Sequence, residues 1–188
     1  MADYKVLKKN LIKTDNYCLM PIRYQDRYLI MKWRNEQMYH LRQSQYLTHD
    51  DQDYYFSQVI SKIFVQSRPD QILFSFLKNN ICVGYGGLVH INWEDRNAEI
   101  SFLLDTSLQK EFFAIFWEVF LKMIQEVAFD DLRLHKIFTY AFDLRPNLYP
   151  ILEKSTFKLE ARLIEHTQID NRYVDVLIHS KINNEYNL

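Results

Sequence analysis

The sequence predicts an α/β fold: a single domain with a mixed central sheet, an antiparallel meander followed by β-α-β-α-β-β, flanked by helices. Three observations carry this. Strand-like apolar runs over 72–77, 81–91 and 98–104 are separated only by short turn segments, the spacing of a meander. The strongest helical periodicity in the chain follows, with Phe112, Ile115, Phe116, Val119, Phe120, Met123 and Val127 at three- and four-residue steps. A further strand over 136–142 and a short helix then restore the alternation typical of α/β domains.

The elements can be justified in order. Residues 17–22 read as a short strand, with Pro21 marking an edge or an end. Residues 25 to about 43 read as a helix, on which Leu29, Ile30, Trp33, Gln37 and Leu41 form an imperfect stripe. Thr48 with Asp51 and Gln52 is a capping start for a second helix that turns Tyr55, Val59, Ile60 and Ile63 inward. Asn79 and Asn80 make a turn, because asparagine tolerates left-handed backbone. In the long helix Phe113, Trp117, Leu121 and Ile124 widen the apolar stripe, which predicts burial on most sides. Pro146 fits the first turn of a short helix reaching about Ser155. Residues 158–167 and 173–181 form a last hairpin around 169–172. One domain over 1–188 is expected, with an N-terminal extension (1–16) and a tail (182–188).

Composition narrows the function. The chain is 48% hydrophobic and 25% charged, ordinary for a globular domain, and its net charge of -1 gives no basic field for nucleic acid or an anionic membrane. No apolar run approaches the ~18 residues of a membrane span, and residues 1–16 lack the apolar stretch of a signal peptide. Cys18 and Cys82 read as reduced, buried residues, and His135, His166 and His179 lack zinc-ligand spacing, so a cytoplasmic protein without a metal is expected. All three glycines fall in the window Gly84-Tyr85-Gly86-Gly87. Average usage would put roughly 13 glycines in a chain this long. Their confinement to one strand marks a place of close backbone approach, by a bulge, by packing of the first helices, or beside a pocket. It also argues against a glycine-rich phosphate loop.

The element order at this length resembles the GNAT acyltransferase superfamily, and local segments sharpen the resemblance. Trp33-Arg34-Asn35-Glu36 is similar to the W-R-N segment of the branch that acetylates ribosomal-protein N-termini and amino-sugar nucleotides. The run Ala98-Glu99-Ile100-Ser101-Phe102-Leu103-Leu104-Asp105 resembles the family's fourth strand. Ile151-Leu152-Glu153-Lys154-Ser155-Thr156-Phe157-Lys158-Leu159-Glu160 resembles the segment leading into the last hairpin, and Tyr173-Val174-Asp175 with His179 matches that branch's ending. The resemblance covers roughly residues 17–181. There are departures. In the Q/R-x-x-G-x-G/A coenzyme loop, Gln109 and Ala114 fit but Phe112 stands where glycine is expected. Thr156 and Ala161 also replace glycines. Arg145 takes the place of an asparagine, with Asn147 close by, and Leu152 takes that of the usual general-acid tyrosine.

The resemblance implies acyl transfer from a thioester to an amine, with acetyl-CoA as cosubstrate. Such chemistry needs a base for the ammonium, donors for an oxyanion and a proton for the leaving thiolate. Glu99 is the candidate base; the competing reading is a strand-edge carboxylate paired with Arg96. Tyr149, one helical turn before Leu152, is the nearest stand-in for the acid. The main chain of Phe102, Leu103 and Leu104 would hold the pantetheine arm. Gln109, Lys110, Ala114, Arg145 and Asn147 would lie at the diphosphate, partly aided by a helix N-terminus. Around the glycine window, Trp33, Arg34, Asn35, Tyr85, Gly86, Gly87, His90 and Trp93 form a candidate acceptor site, because aromatic and amide groups suit a sugar ring and arginine suits a phosphate.

The function expected from the sequence is therefore an acetyl-CoA-dependent N-acetyltransferase of a small amine, an amino sugar or amino-sugar nucleotide. Two alternatives stay open: acetylation of a protein N-terminus, and a GNAT-like domain that binds without turnover. The partners expected are the small amine and no nucleic acid or membrane. A homodimer is compatible with the sequence.

Overall fold

The computed structural model describes residues 3–184. One eight-stranded sheet runs through it in the order β1-β2-β3-β4-β5-β6-β8-β7. The strands are β1 (Ile12–Thr14), β2 (Tyr17–Pro21), β3 (Ile72–Lys78), β4 (Ile81–Asn92), β5 (Asn97–Leu104), β6 (Lys136–Phe142), β7 (Lys158–Ile169) and β8 (Arg172–Ile182). Four helices flank them: α1 (Arg27–Glu36), α2 (His49–Tyr55), α3 (Thr106–Gln125) and α4 (Tyr149–Lys154). Every neighbouring strand pair is antiparallel except β5 and β6, which are parallel. The mixed sheet expected from the alternation is present.

Local chemistry explains most boundaries. Asn79 and Asn80 turn β3 into β4 with φ of 50° and 66°, the left-handed conformation asparagine accepts most readily among residues with a side chain. Thr48 caps α2 in a reciprocal capping box with Asp51. That helix continues through a wider turn (Phe56–Ile60) to Ile63, and buries Phe56, Ile60 and Ile63. Tyr55 and Val59 are only partly buried.

Four expectations need correction. The strand β1 lies inside the stretch read as an N-terminal extension; three residues are too few to show a period. The first helix is shorter than 25–43. It ends at Glu36, because Gln37 leaves helical backbone (φ -119°) and sends its side-chain amide to the Leu104 carbonyl, 2.9 Å away. A 3₁₀ turn (Met38–His40) follows. The long helix starts at Thr106, six residues before its apolar periodicity, because Asp105 accepts from the Ser107 amide at 2.9 Å and caps it. That helix is also less enclosed than its stripe suggested: Phe112 is 39% and Ile115 55% exposed.

The core of this region is aromatic. Phe102 packs on Phe120 at 4.4 Å between ring centroids and stacks on Trp117 at 5.1 Å, while Phe76 meets Phe116 and Phe120 edge-on. This cluster fixes α3 against β3 and β5, and so sets the wall of the cleft described next.

Candidate active site

The parallel pair β5/β6 is joined over only three rungs, Asn97 with Lys136, Ala98 with Ile137 and Glu99 with Phe138. Beyond Glu99 the strands diverge, and the β6-facing edge of β5 has no strand partner. A cleft of about 110 Å3 occupies this wedge, bordered by Glu99, Ser101 and Phe102 of β5, Thr139 and Tyr140 of β6, Trp117 of α3, and His40, Arg42 and Arg145 from connecting segments. A second cavity of about 260 Å3 lies between α1, α2 and the sheet, bordered by Arg34, Asp51, Gln52, Tyr55, Gln71, Tyr85 and Ser101 among others. Ser101 borders both, so the two spaces meet at the middle of β5.

Glu99 sits at the apex of the wedge, two residues from Ser101 and on the same face of the strand. It is 6% exposed. One carboxylate oxygen accepts from Arg42, whose guanidinium lies over the Tyr140 ring at 4.8 Å. The other lies 2.9 Å from Nδ1 of His90. The partner expected from sequence, Arg96, is not used: its carbonyl accepts from the His135 and Lys136 amides. His90 reaches the carboxylate because it stands at a register shift between β4 and β5 with φ of 50°, a backbone cost borne at this one point of the strand.

Three residues that border the cleft each carry a buried polar atom with no hydrogen-bond partner among the described residues: His40 Nδ1, Trp117 Nε1 and Thr139 Oγ1. Nε2 of His40 faces the Gln37 carbonyl oxygen at 3.3 Å and so carries the proton, which leaves Nδ1 as a bare acceptor. Burial, aided by the nearby Arg145 charge, lowers the His40 pKa to about 3. It is therefore neutral in the fold. An unfolded histidine gains its proton near 6.5, so His40 stabilises the fold above that value and loses the contribution as pH falls from 6.5 toward 3. His40→Asn is expected to flatten this limb of the stability profile, measured as urea midpoint against pH.

Arg145 is half-buried, lies over Phe113 at 5.6 Å and forms no ion pair among the described residues; burial pulls its pKa down. The stretch that resembles a coenzyme loop is helical. Gln109, Lys110 and Ala114 lie within the first three turns of α3, where backbone amides serve the helix itself. Gln109 donates to Gln37, and Lys110 and Ala114 are exposed. Phe112 leaves the cleft free: it faces a groove shared with Ile81 and Val83 and packs edge-on against Phe116. Asn147 is exposed in the turn before α4. The side chains of Leu103 and Leu104 are buried, and the Leu104 carbonyl is taken by Gln37.

The remaining candidates are dispersed. Tyr149 donates its hydroxyl to Asp143 at 2.9 Å, stacks on His179 and does not border the cleft; burial and the Asp143 carboxylate push its pKa up, so it keeps its proton. Of the candidate acceptor residues, Arg34 and Tyr85 border the larger cavity. Trp33 is core, at 1% exposure. Asn35 clamps the loop after α1 through both polar groups of Leu47, and Trp93 donates to the Pro69 carbonyl. Gly86 and Gly87 border neither space; a Cβ there would meet the carbonyls of Ser101 and Ile72 at 2.2 and 1.9 Å. Both have negative φ, so close approach rather than backbone freedom requires them. Sequence reasoning missed Arg42, Ser101, Trp117 and Thr139 as site residues.

Among the described residues, no group of three or more histidine, cysteine, aspartate or glutamate side chains could hold a metal ion, and no helix is long and apolar enough to cross a membrane.

Residues 19–178 match the acetyltransferase (GNAT) domain family. Spermidine N-acetyltransferase from Vibrio cholerae in complex with CoA and spermine has a similar fold, with a TM-score of 0.77 at 21% identity over 92% of this chain and 99% of that one. Mutant forms of the spermidine/spermine N-acetyltransferase SpeG from the same organism give a TM-score of 0.76 at 20% identity, over 92% and 97% of the two chains. These neighbours are named for polyamines, not for ribosomal proteins or amino sugars; at such identity they establish the shared fold.

Proposed function

The chain belongs to the GNAT acetyltransferase family, and from that premise we propose that it acetylates an amino sugar or amino-sugar nucleotide where its two cavities meet. Acetyltransferases of this family draw the acyl group from acetyl-CoA, which supplies an activated thioester carbonyl. The observation that carries the proposal is Ser101: one residue borders both the wedge between β5 and β6 and the larger cavity, with Glu99 two positions away.

The cleft suits the coenzyme's arm. The open edge of β5 offers main-chain groups. Trp117, Thr139 and His40 border it and carry polar groups of the kinds that pair with the amides and carbonyls of pantetheine. With the loop replaced by a helix, charge takes over at the diphosphate: Arg145 has no carboxylate to neutralise it, and Lys110 lies on the exposed side of α3. Arg145→Ala is expected to weaken coenzyme A binding about 10- to 100-fold. Affinity for pantetheine, which lacks the phosphates, should change little; calorimetry with both ligands checks this.

Glu99 takes the proton from the acceptor's ammonium, directly or through a water, while Arg42 and His90 fix its carboxylate. Because Tyr149 is committed to Asp143 away from the cleft, reprotonation of the leaving thiolate is not assigned to it. The larger cavity offers Tyr55, Tyr85, Gln52, Gln71 and Ser101, a set of hydroxyls and amides that suits a polyhydroxylated ring. A polyamine is the second reading, favoured by the Asp51 carboxylate on the same wall. Thiol release from acetyl-CoA with glucosamine, its 6-phosphate, a nucleotide-linked amino sugar and spermidine separates the two. Turnover confined to spermidine would sink the amino-sugar reading.

A further inference from the structure

Arg34 lies inside the larger cavity without a counter-ion. Its Nε donates to Gln43 at 2.9 Å and its Nη1 to the Tyr85 hydroxyl at 2.8 Å, both neutral partners. It is half-buried and forms no ion pair with any described residue. The carboxylate on the cavity wall, Asp51, spends an oxygen on the amide and hydroxyl of Thr48 at the cap of α2.

The guanidinium is also held in place. Gln43 donates onward to Asn35 at 3.0 Å, and Asn35 is fixed by both backbone groups of Leu47. This chain of amides occupies the Nε side and leaves the Nη2 amino group with no partner among the described residues. A half-buried cation that is held in place but not neutralised favours a ligand that supplies the negative charge. Nη2 is free to donate a charge-assisted hydrogen bond to an oxyanion.

We infer that the acceptor carries an anionic group, a carboxylate or a phosphate, and that Arg34 recognises it while the amine points to Ser101 and Glu99. The inference rests on the reading of this cavity as the acceptor site. It makes Arg34 a specificity residue. It also sets this pocket against polyamines, whose several ammonium groups would be brought beside an uncompensated guanidinium.

The test is a matched series: glucosamine, glucosamine 6-phosphate and the corresponding C6 carboxylate (2-amino-2-deoxyglucuronate), with spermidine as the polycation. Wild-type protein is expected to favour one of the two anionic sugars over glucosamine by about 10- to 100-fold in kcat/KM, the value of one charge-assisted contact. The two anionic arms tell phosphate from carboxylate. Arg34→Gln should bring this ratio close to one, and Arg34→Lys should restore part of it. Equal use of neutral and anionic sugars, or preference for spermidine, overturns the inference while leaving acetyl transfer at this cavity intact. A ratio that survives Arg34→Gln in a variant with wild-type thermal unfolding overturns it as well. No turnover of any member, in protein that binds acetyl-CoA by calorimetry, overturns the acceptor reading and this inference together.

Discussion

Replacing Glu99 by glutamine is expected to lower kcat by about 100- to 1,000-fold, within the range that a positioned general base contributes. The substitution keeps shape and volume. Its amide can turn its oxygen to Arg42 and its NH2 to the imidazole of His90, so both original contacts survive in weakened form. What disappears is the ability to accept a proton beside Ser101. Coenzyme affinity should be nearly unchanged, because the groups assigned to the pantetheine arm and diphosphate lie elsewhere in the wedge. Steady-state rates across pH, with calorimetric coenzyme binding alongside, separate loss of chemistry from loss of binding. A kcat within about threefold of wild type at every pH corresponds to less than ~1 kcal/mol of barrier and would remove Glu99 as the base.

The sequence reveals this site unevenly, for physical reasons. The meander is legible because its strands are bounded by residues with strong local preferences, Asn79 and Asn80 above all, and β6 is recovered over 136–142. Local chemistry also exposes the capping box at Thr48. The start of α3 is harder to see: residues 106–111 are mostly polar, so the helix begins on a cap at Asp105 before any apolar period appears. Glu99, Arg34 and Tyr85 could be nominated because each stands in a family-like or glycine-marked segment. Arg42, Trp117 and Thr139 could not. Their roles follow from contacts across large separations, such as the 57 residues between Arg42 and Glu99, and these exist only once the sheet has formed. Phe112 shows the opposite failure. Read as a linear motif it obstructs a loop, but the segment is helical and the ring turns away from the cleft.

Gly86→Ala is expected to destabilise the fold by about 2–4 kcal/mol through overpacking. In a domain of this size that is a fall in Tm of roughly 5–15 °C. The added Cβ would lie 2.2 Å from the Ser101 carbonyl oxygen and 2.9 Å from Phe102 Cα, both main chain of β5, and 2.8 Å from the tip of Phe120. A side chain could swing aside, but β5 cannot withdraw without breaking its pairing with β4, in which Gly86 faces Phe102 and Gly87 faces Ser101. Removing a glycine also stiffens the unfolded chain, a stabilisation of only ~0.4–1 kcal/mol that the steric term outweighs. Activity should fall further than stability alone explains, because the residue pushed is Ser101, where the two cavities meet. Urea unfolding followed with single-turnover rates on the folded fraction measures both effects. Wild-type stability in this variant would show that the sheet can spread at β5 without cost, and the confinement of every glycine in the chain to this strand would then lose its explanation by close packing.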